Sequence, residues 1–149
     1  MKLITEGDPF LFQTNDGGNI NVENGITELS SGLETAAYLS LFGGNEDDDG
    51  SEKTDKNWWG NFTETVESAQ YRSETQYILR SLPATSGNLG KLREAVLRDL
   101  DWMVQDKVAS EIDVNVTIPG LNKVMIECNI NAIGPENQFV FYENWKASI

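Results

Sequence analysis

An α+β fold is predicted by three features of this 149-residue chain. Its C-terminal third alternates apolar and polar residues, the two-residue period of half-buried strands. The segment 88–105 instead repeats its apolar residues every three or four positions, the period of an amphipathic helix. Glycine- and proline-containing pairs divide the strand-like runs at short intervals, so sequential strands should return as an antiparallel meander. The long helix is the natural cover for the meander's apolar face, and helices and strands then segregate along the chain. A small N-terminal hairpin and additional short helices complete the expectation. No internal repeat or domain boundary interrupts 1–149, so one domain is expected.

Each element has a local cause. Asp16-Gly17-Gly18-Asn19 reads as a turn, because glycine reaches positive φ without steric penalty. Ile20 and Val22 alternate with Asn19, Asn21 and Glu23, and Asn24-Gly25 supplies a hairpin-closing pair before Ile26 and Leu29. Ser31-Gly32-Leu33-Glu34 reads as a capping box opening a short helix, with Leu33, Ala37 and Leu41 on one face and Ala36 beside them. Gly43-Gly44 should end it. A polar acidic segment, 45–56, contains no apolar anchor and is expected to be a mobile loop. Partial helix is predicted from Thr65 to Leu82, with Tyr71, Thr75, Ile78, Leu79 and Leu82 loosely sharing a face and Pro83 stopping it.

The helix predicted from Asn88 to Gln105 places Leu89, Leu92, Val96, Leu100, Met103 and Val104 on its packing side. Arg93, Glu94, Arg98, Asp99 and Asp101 fall to the opposite side. Ile112, Val114, Val116 and Ile118 then alternate along a first strand, and Pro119-Gly120 should turn the chain. Val124, Ile126, Cys128, Ile130 and Ala132 alternate along a second. Gly134-Pro135 should turn it again before a last strand containing Phe139, Val140, Phe141 and Tyr142.

Composition narrows the chemistry. Asp and Glu number 24 against 11 Lys and Arg, for a formal net charge of −13, and 39% of residues are hydrophobic. A chain of about 150 residues buries about 70% of its unfolded surface, enough for one ordinary core. Histidine is absent, which excludes a Ser-His-Asp triad, a Cys-His pair and a His-ligated metal. So acidic a surface repels phosphate, so neither nucleic acid nor an anionic membrane is an expected partner. Mimicry of DNA would require the negative charge to be spaced like phosphates. Cys128 is the single cysteine and is expected to be a small core hydrophobe. Glu6 and Asp8 come too early for a secretory signal, and no stretch approaches the roughly 20 apolar residues of a membrane span.

Few motifs carry chemistry. Asn45, Asp47, Asp49 and Gly50 overlap the start of an EF-hand loop, but Lys56 stands where the bidentate carboxylate belongs, so no metal or other cofactor is expected. A glycosidase needs only two carboxyl groups, and Glu34, Glu64, Glu67 and Glu74 lie near aromatic residues. Spacing alone pairs none of them across a cleft, so no catalytic residue is assigned. Trp58-Trp59-Gly60-Asn61-Phe62 is the most aromatic patch and makes Trp58, Trp59 and Phe62 candidate partner-binding residues. The meander offers a second surface, because the edge of an antiparallel sheet can accept a strand from another chain.

Taken in order, Asp16-Gly17-Gly18, then Gly32-Leu33-Glu34-Thr35-Ala36 running into Leu39-Ser40-Leu41-Phe42, an acidic loop and Trp58-Trp59-Gly60 form a pattern. It resembles a baseplate (tail) protein family of Mu-like contractile phages, similar to the small wedge subunit that connects to the sheath. The resemblance extends through the helix at 88–105 to the terminal strands. Two positions depart from it: Asp55-Lys56-Asn57 precede the tryptophans where the family has basic residues, and Tyr77-Ile78-Leu79-Arg80 replaces a Trp-Leu run before Arg. The resemblance implies a structural component of the virion tail baseplate, assembled in the bacterial host cytoplasm, several copies surrounding a six-fold tail. Its implied partners are other wedge subunits, met near Trp58 and Trp59, and the sheath protein. The sheath would be met by strand addition within 108–142, where Val114, Val116, Ile126, Phe139 and Phe141 are the candidate residues. Some related wedge proteins are described as lysozyme-like, so a peptidoglycan-cleaving glycosidase using paired carboxylates is the alternative expectation.

Overall fold

The computed structural model describes residues 11–14, 17–20, 22–27, 33–43, 63, 65–66, 73–132 and 137–144. The chain divides into two compact units, 1–39 and 40–149, and the boundary falls inside a helix, α1 (Leu33–Phe42). The domain expected over 1–149 is therefore described in these two parts.

The first unit carries two hairpins. β1 (Leu11–Thr14) pairs antiparallel with β2 (Gly17–Ile20), Thr14 opposite Gly17. Gly17 and Gly18 are thus strand residues, opposite Thr14 and Gln13, and not the turn expected of them; Asp16 lies outside the described residues. β3 (Val22–Glu23) and β4 (Ile26–Thr27) form the second hairpin. Here Asn24 and Gly25 close the loop as expected, both with positive φ (51° and 76°), the combination that matches strand twist in a two-residue turn. The apolar alternation does not bury this hairpin: Ile20, Val22 and Ile26 are exposed. In α1, Thr35 and Ala37 are buried, while Leu33 and Ala36 are half-buried. Ser31, Gly32, Leu29 and Gly44 lie outside the described residues.

The second unit is a three-stranded sheet covered by helices. Of the stretch expected to be partly helical, Thr65 to Leu82, α2 takes Glu74–Ser81, and residues 65 and 66 are not helical. The start is set where acceptors exist for the leading N–H groups: Gln76 N–H donates to Ser73 Oγ at 3.3 Å. Glu74 and Thr75 N–H donate to the two carboxylate oxygens of Asp99, at 3.1 and 2.8 Å. Thr75, Ile78 and Leu79 are buried as the shared face predicts, Leu82 is half-buried, and Tyr71 lies outside the described residues. A 3₁₀ turn (Ser86–Asn88) leads into α3 (Leu89–Gln105).

α3 buries Leu92, Ala95, Val96, Leu100 and Met103. Two expectations fail here. Val104 is exposed, and Asp99, assigned to the solvent side, is buried. Asp99 lies four residues before Met103 and three after Val96, in the apolar stripe, and its carboxylate is retained there by the start of α2. α3 ends in a Schellman motif: Val108 N–H donates to Met103 C=O at 2.8 Å and Lys107 N–H to Val104 C=O at 3.1 Å. Lys107 takes the left-handed conformation, φ 61°, that glycine usually supplies.

β5 (Ala109–Gly120), β6 (Lys123–Ala132) and β7 (Asn137–Asn144) form an antiparallel meander in the order β5-β6-β7, as predicted. Pro119 and Gly120 belong to β5, and the reversal lies at Leu121-Asn122, where Asn122 has φ 53°. An edge strand tolerates Pro119 because its missing N–H is not required by a second neighbour. Residues 133–136, including the expected Gly134-Pro135 turn, lie outside the described residues. Val114, Val116, Val124, Ile126, Cys128, Ile130 and Phe141 line the buried face, against which α3 packs through β5 while α2 packs on α3. Within this unit, Trp102 Nε1–H donates to Ser40 Oγ at 2.8 Å, and Ser73 Oγ–H donates to the Leu41 carbonyl. Phe42 meets Phe141 edge to face, with centroids 5.8 Å apart. These contacts bind the end of α1 to α2, α3 and the sheet.

Candidate functional site

The residues singled out on the sheet fall in two adjacent transverse rows. Val116, Ile126 and Phe141 are cross-strand neighbours, and Val114, Cys128 and Phe139 form the next row. Strand alternation puts Val114, Val116, Ile126, Cys128 and Phe141 on one face, and here it is the covered one, while the side chain of Phe139 lies outside the description. Val114, Val116, Ile126 and Phe141 are only 2%, 8%, 0% and 7% exposed, so their side chains are core and not contact surface. Ile126 is excluded twice, since β6 is paired on both sides. Among the described residues, β5 and β7 each pair with one strand, β6. Trp58, Trp59, Phe62 and the acidic segment 45–56 lie outside the described residues.

The two outer strands differ. β5 is irregular: its pairing with β6 shifts register between Ala109 and Glu111 and again between Thr117 and Gly120. Arg93, projecting from α3, donates from Nε to the Val114 carbonyl at 2.8 Å and places Nη2 3.7 Å from Asp113 Oδ1. β7 pairs with β6 over eight consecutive positions with no shift, from Lys123–Asn144 to Ile130–Asn137. On its outer face Val140 is 41% and Tyr142 59% exposed. Beside them in register stand Glu127, which accepts from Asn115 Nδ2 at 2.7 Å, and Met125.

The titratable groups in the core are structural. Burial pushes the Asp99 carboxyl up to about 6, while the Thr75 backbone N–H and the Arg98 guanidinium pull the other way. Arg98 spans Asp99 and Glu74, at 3.0 and 2.9 Å, which ties down one of the four glutamates considered for glycoside hydrolysis. Glu34 lies on α1, and Glu64 and Glu67 fall outside the described residues. Cys128 is a core residue, as expected, and burial pushes its thiol up to about 12, beyond useful nucleophilicity. Among the described residues no group of three or more Cys, Asp or Glu is placed to hold a metal ion. No helix among them is long and apolar enough to cross a membrane.

Sequence reasoning missed Asp99 and Arg93. Asp99 was detectable from its i+3 and i−4 spacing to Val96 and Met103. Nothing local to Arg93 announces a contact with a strand 21 residues further on. Compared with protein-family models, curated proteins and solved structures, the chain finds no match.

Proposed function

We propose that this chain is a non-enzymatic structural subunit of a contractile phage-tail baseplate, joining the wedge to the tail sheath by protein–protein contact and β-strand addition. The observation that carries the reading is the sheet. Its outer strands, of 12 and 8 residues, each have one strand neighbour among the described residues. Such edges present backbone groups that an extended segment can pair with. The resemblance in Asp16-Gly17-Gly18, the Leu33–Phe42 helix and the Trp-Trp-Gly block supports the particular assembly. In this reading the wedge is met near Trp58, Trp59 and Phe62. The subunit works in the virion as several copies around the tail, without nucleic acid, membrane or cofactor. The net charge of −13 suits a protein that meets basic surfaces of other proteins.

Deleting the gene from the phage genome that carries it, followed by electron microscopy of the particles, tests the proposal. The expected result is particles lacking sheathed, baseplate-bearing tails, restored by supplying the chain in trans. Normal contractile tails in the deletion would overturn it. The purified protein is expected not to clear peptidoglycan, and clearance lost on removing two specific carboxyl groups would move the assignment to a glycosidase.

A further inference from the structure

We propose that the junction of α2 with α3 is a proton-operated latch: a proton on the Asp99 carboxyl holds the first turn of α2 closed on α3, and its loss lets that turn open. The Asp99 side chain is 0% exposed, and its two oxygens accept from the Glu74 and Thr75 N–H groups at 3.1 and 2.8 Å. Arg98 lies beside it, with Nη2 3.0 Å from Asp99 Oδ1 and Nε 2.9 Å from Glu74 Oε2. Ser73, immediately before the turn, accepts from Gln76 N–H and donates to the Leu41 carbonyl. Among the described residues, the charged groups facing Asp99 are Arg98, from its own helix, and Glu74, from the helix packed against it.

This geometry sets a conflict that a proton resolves. An ionised carboxylate enclosed by protein forfeits its hydration, and the guanidinium beside it is divided between two acids. When the first turn opens, Asp99 meets water and its carboxyl returns to the ordinary value of 3.8, whereas closed it stands at about 6. Closing therefore takes up a proton between those two values. By linkage the closed turn is favoured most below the lower value. Its advantage falls by about a hundredfold as pH rises through the interval and levels off above the higher one. The response is local because of what each helix rests on. The first two N–H groups of α2, a helix of 8 residues, are held by this one side chain. α3 is held independently, by Leu92, Val96, Leu100 and Met103 in the core.

Amide hydrogen exchange of the full chain, followed residue by residue at about pH 4.5 and about pH 7.5 and corrected for intrinsic rates, tests the latch. The Glu74, Thr75 and Gln76 amides are expected to lose at least tenfold in protection between the two. At the higher pH they should exchange faster than the amides of Leu100 and Ile126 and be insensitive to low urea, as a local opening is. In Asp99→Asn their protection should no longer change with pH. In Glu74→Gln, which removes the competitor for Arg98, the fall should be smaller and level off at lower pH. Exchange of these amides at the rate and urea dependence of Leu100 and Ile126 would overturn the latch. A pH dependence that survives Asp99→Asn would overturn it as well. Titration of the Asp99 carboxyl carbon in the unaltered chain decides without any variant. A midpoint near 6 supports the latch, and one at 3.8 overturns it.

Discussion

Asp99 spends its carboxylate on the first two N–H groups of α2 from a side chain that is fully enclosed. A carboxylate at a helix N-terminus complements both the orphan donors and the helix dipole. Burial opposes this and wins, because the group's pKa rises from 3.8 to about 6. The sign follows from linkage. A carboxyl whose folded pKa exceeds its unfolded value contributes stability that is fully present below the unfolded value and is lost as pH rises through the folded one. Compared with Asp99→Asn, the unaltered chain should therefore be relatively most stable below the unfolded value of 3.8. It should lose about 3 kcal/mol of that difference by pH 7, at 1.36 kcal/mol per pKa unit. Urea unfolding of both proteins across this range checks it, and a pH-independent difference would contradict it. Ser73 makes the complementary contacts, accepting from Gln76 N–H and donating to Leu41 C=O. Ser73→Ala should cost about 1–3 kcal/mol, since it removes both the cap and the buried hydrogen bond to the Leu41 carbonyl.

At the level of elements, α3 illustrates how periodicity succeeds and where it stops. The stripe of Leu92, Val96, Leu100 and Met103 was readable because a helix must present one face to the sheet. The same pattern puts Asp99 in that stripe but could not name its partner, the start of another helix 24 residues earlier. α2 makes the same point in reverse. Its composition allows helix from Thr65, but it starts at Glu74, where Ser73 and Asp99 satisfy the leading N–H groups. The end of α3 is a local matter and yields a local test. Lys107 holds φ 61° at the position where the Schellman motif prefers glycine. Lys107→Gly should stabilise the chain by about 0.5–1 kcal/mol, measured as a higher urea midpoint at unchanged slope. The hairpin expectation at Asn24-Gly25 held for the same reason, a positive-φ pair with a single good use. Gly17-Gly18 did not, because glycine permits a turn without requiring one.

For the molecule as a whole, the sheet separates residues that hold the fold from residues that can be offered to a partner. Ile126→Ala, at a fully buried position on the central strand, should cost about 2–4 kcal/mol by leaving a cavity. Val140→Lys, on the exposed face of β7, should stay within about 0.5 kcal/mol of the unaltered chain. Chemical denaturation of the two variants distinguishes them, and comparable losses would mean that the face of β7 carrying Val140 is covered as well. Of the candidate site, alternation identified the sheet and the rows containing Val114, Val116, Ile126 and Phe141. The residue pattern also gave the long helix as the cover of that face, which makes these four residues core. It could not show that Arg93, on that helix, bonds the carbonyl of Val114.

Whatever depends on neighbours along the chain was therefore already set by the residue order: the α+β class, the meander, the long helix, the absence of imidazole chemistry and the burial of Cys128. Period, turn chemistry and composition act over a few residues, and a reader of the chain has all of them. The buried carboxylate beneath α2 and the arginine on β5 came from packing. They join residues 21 to 25 positions apart, and such contacts exist only once helices and strands have been laid against one another.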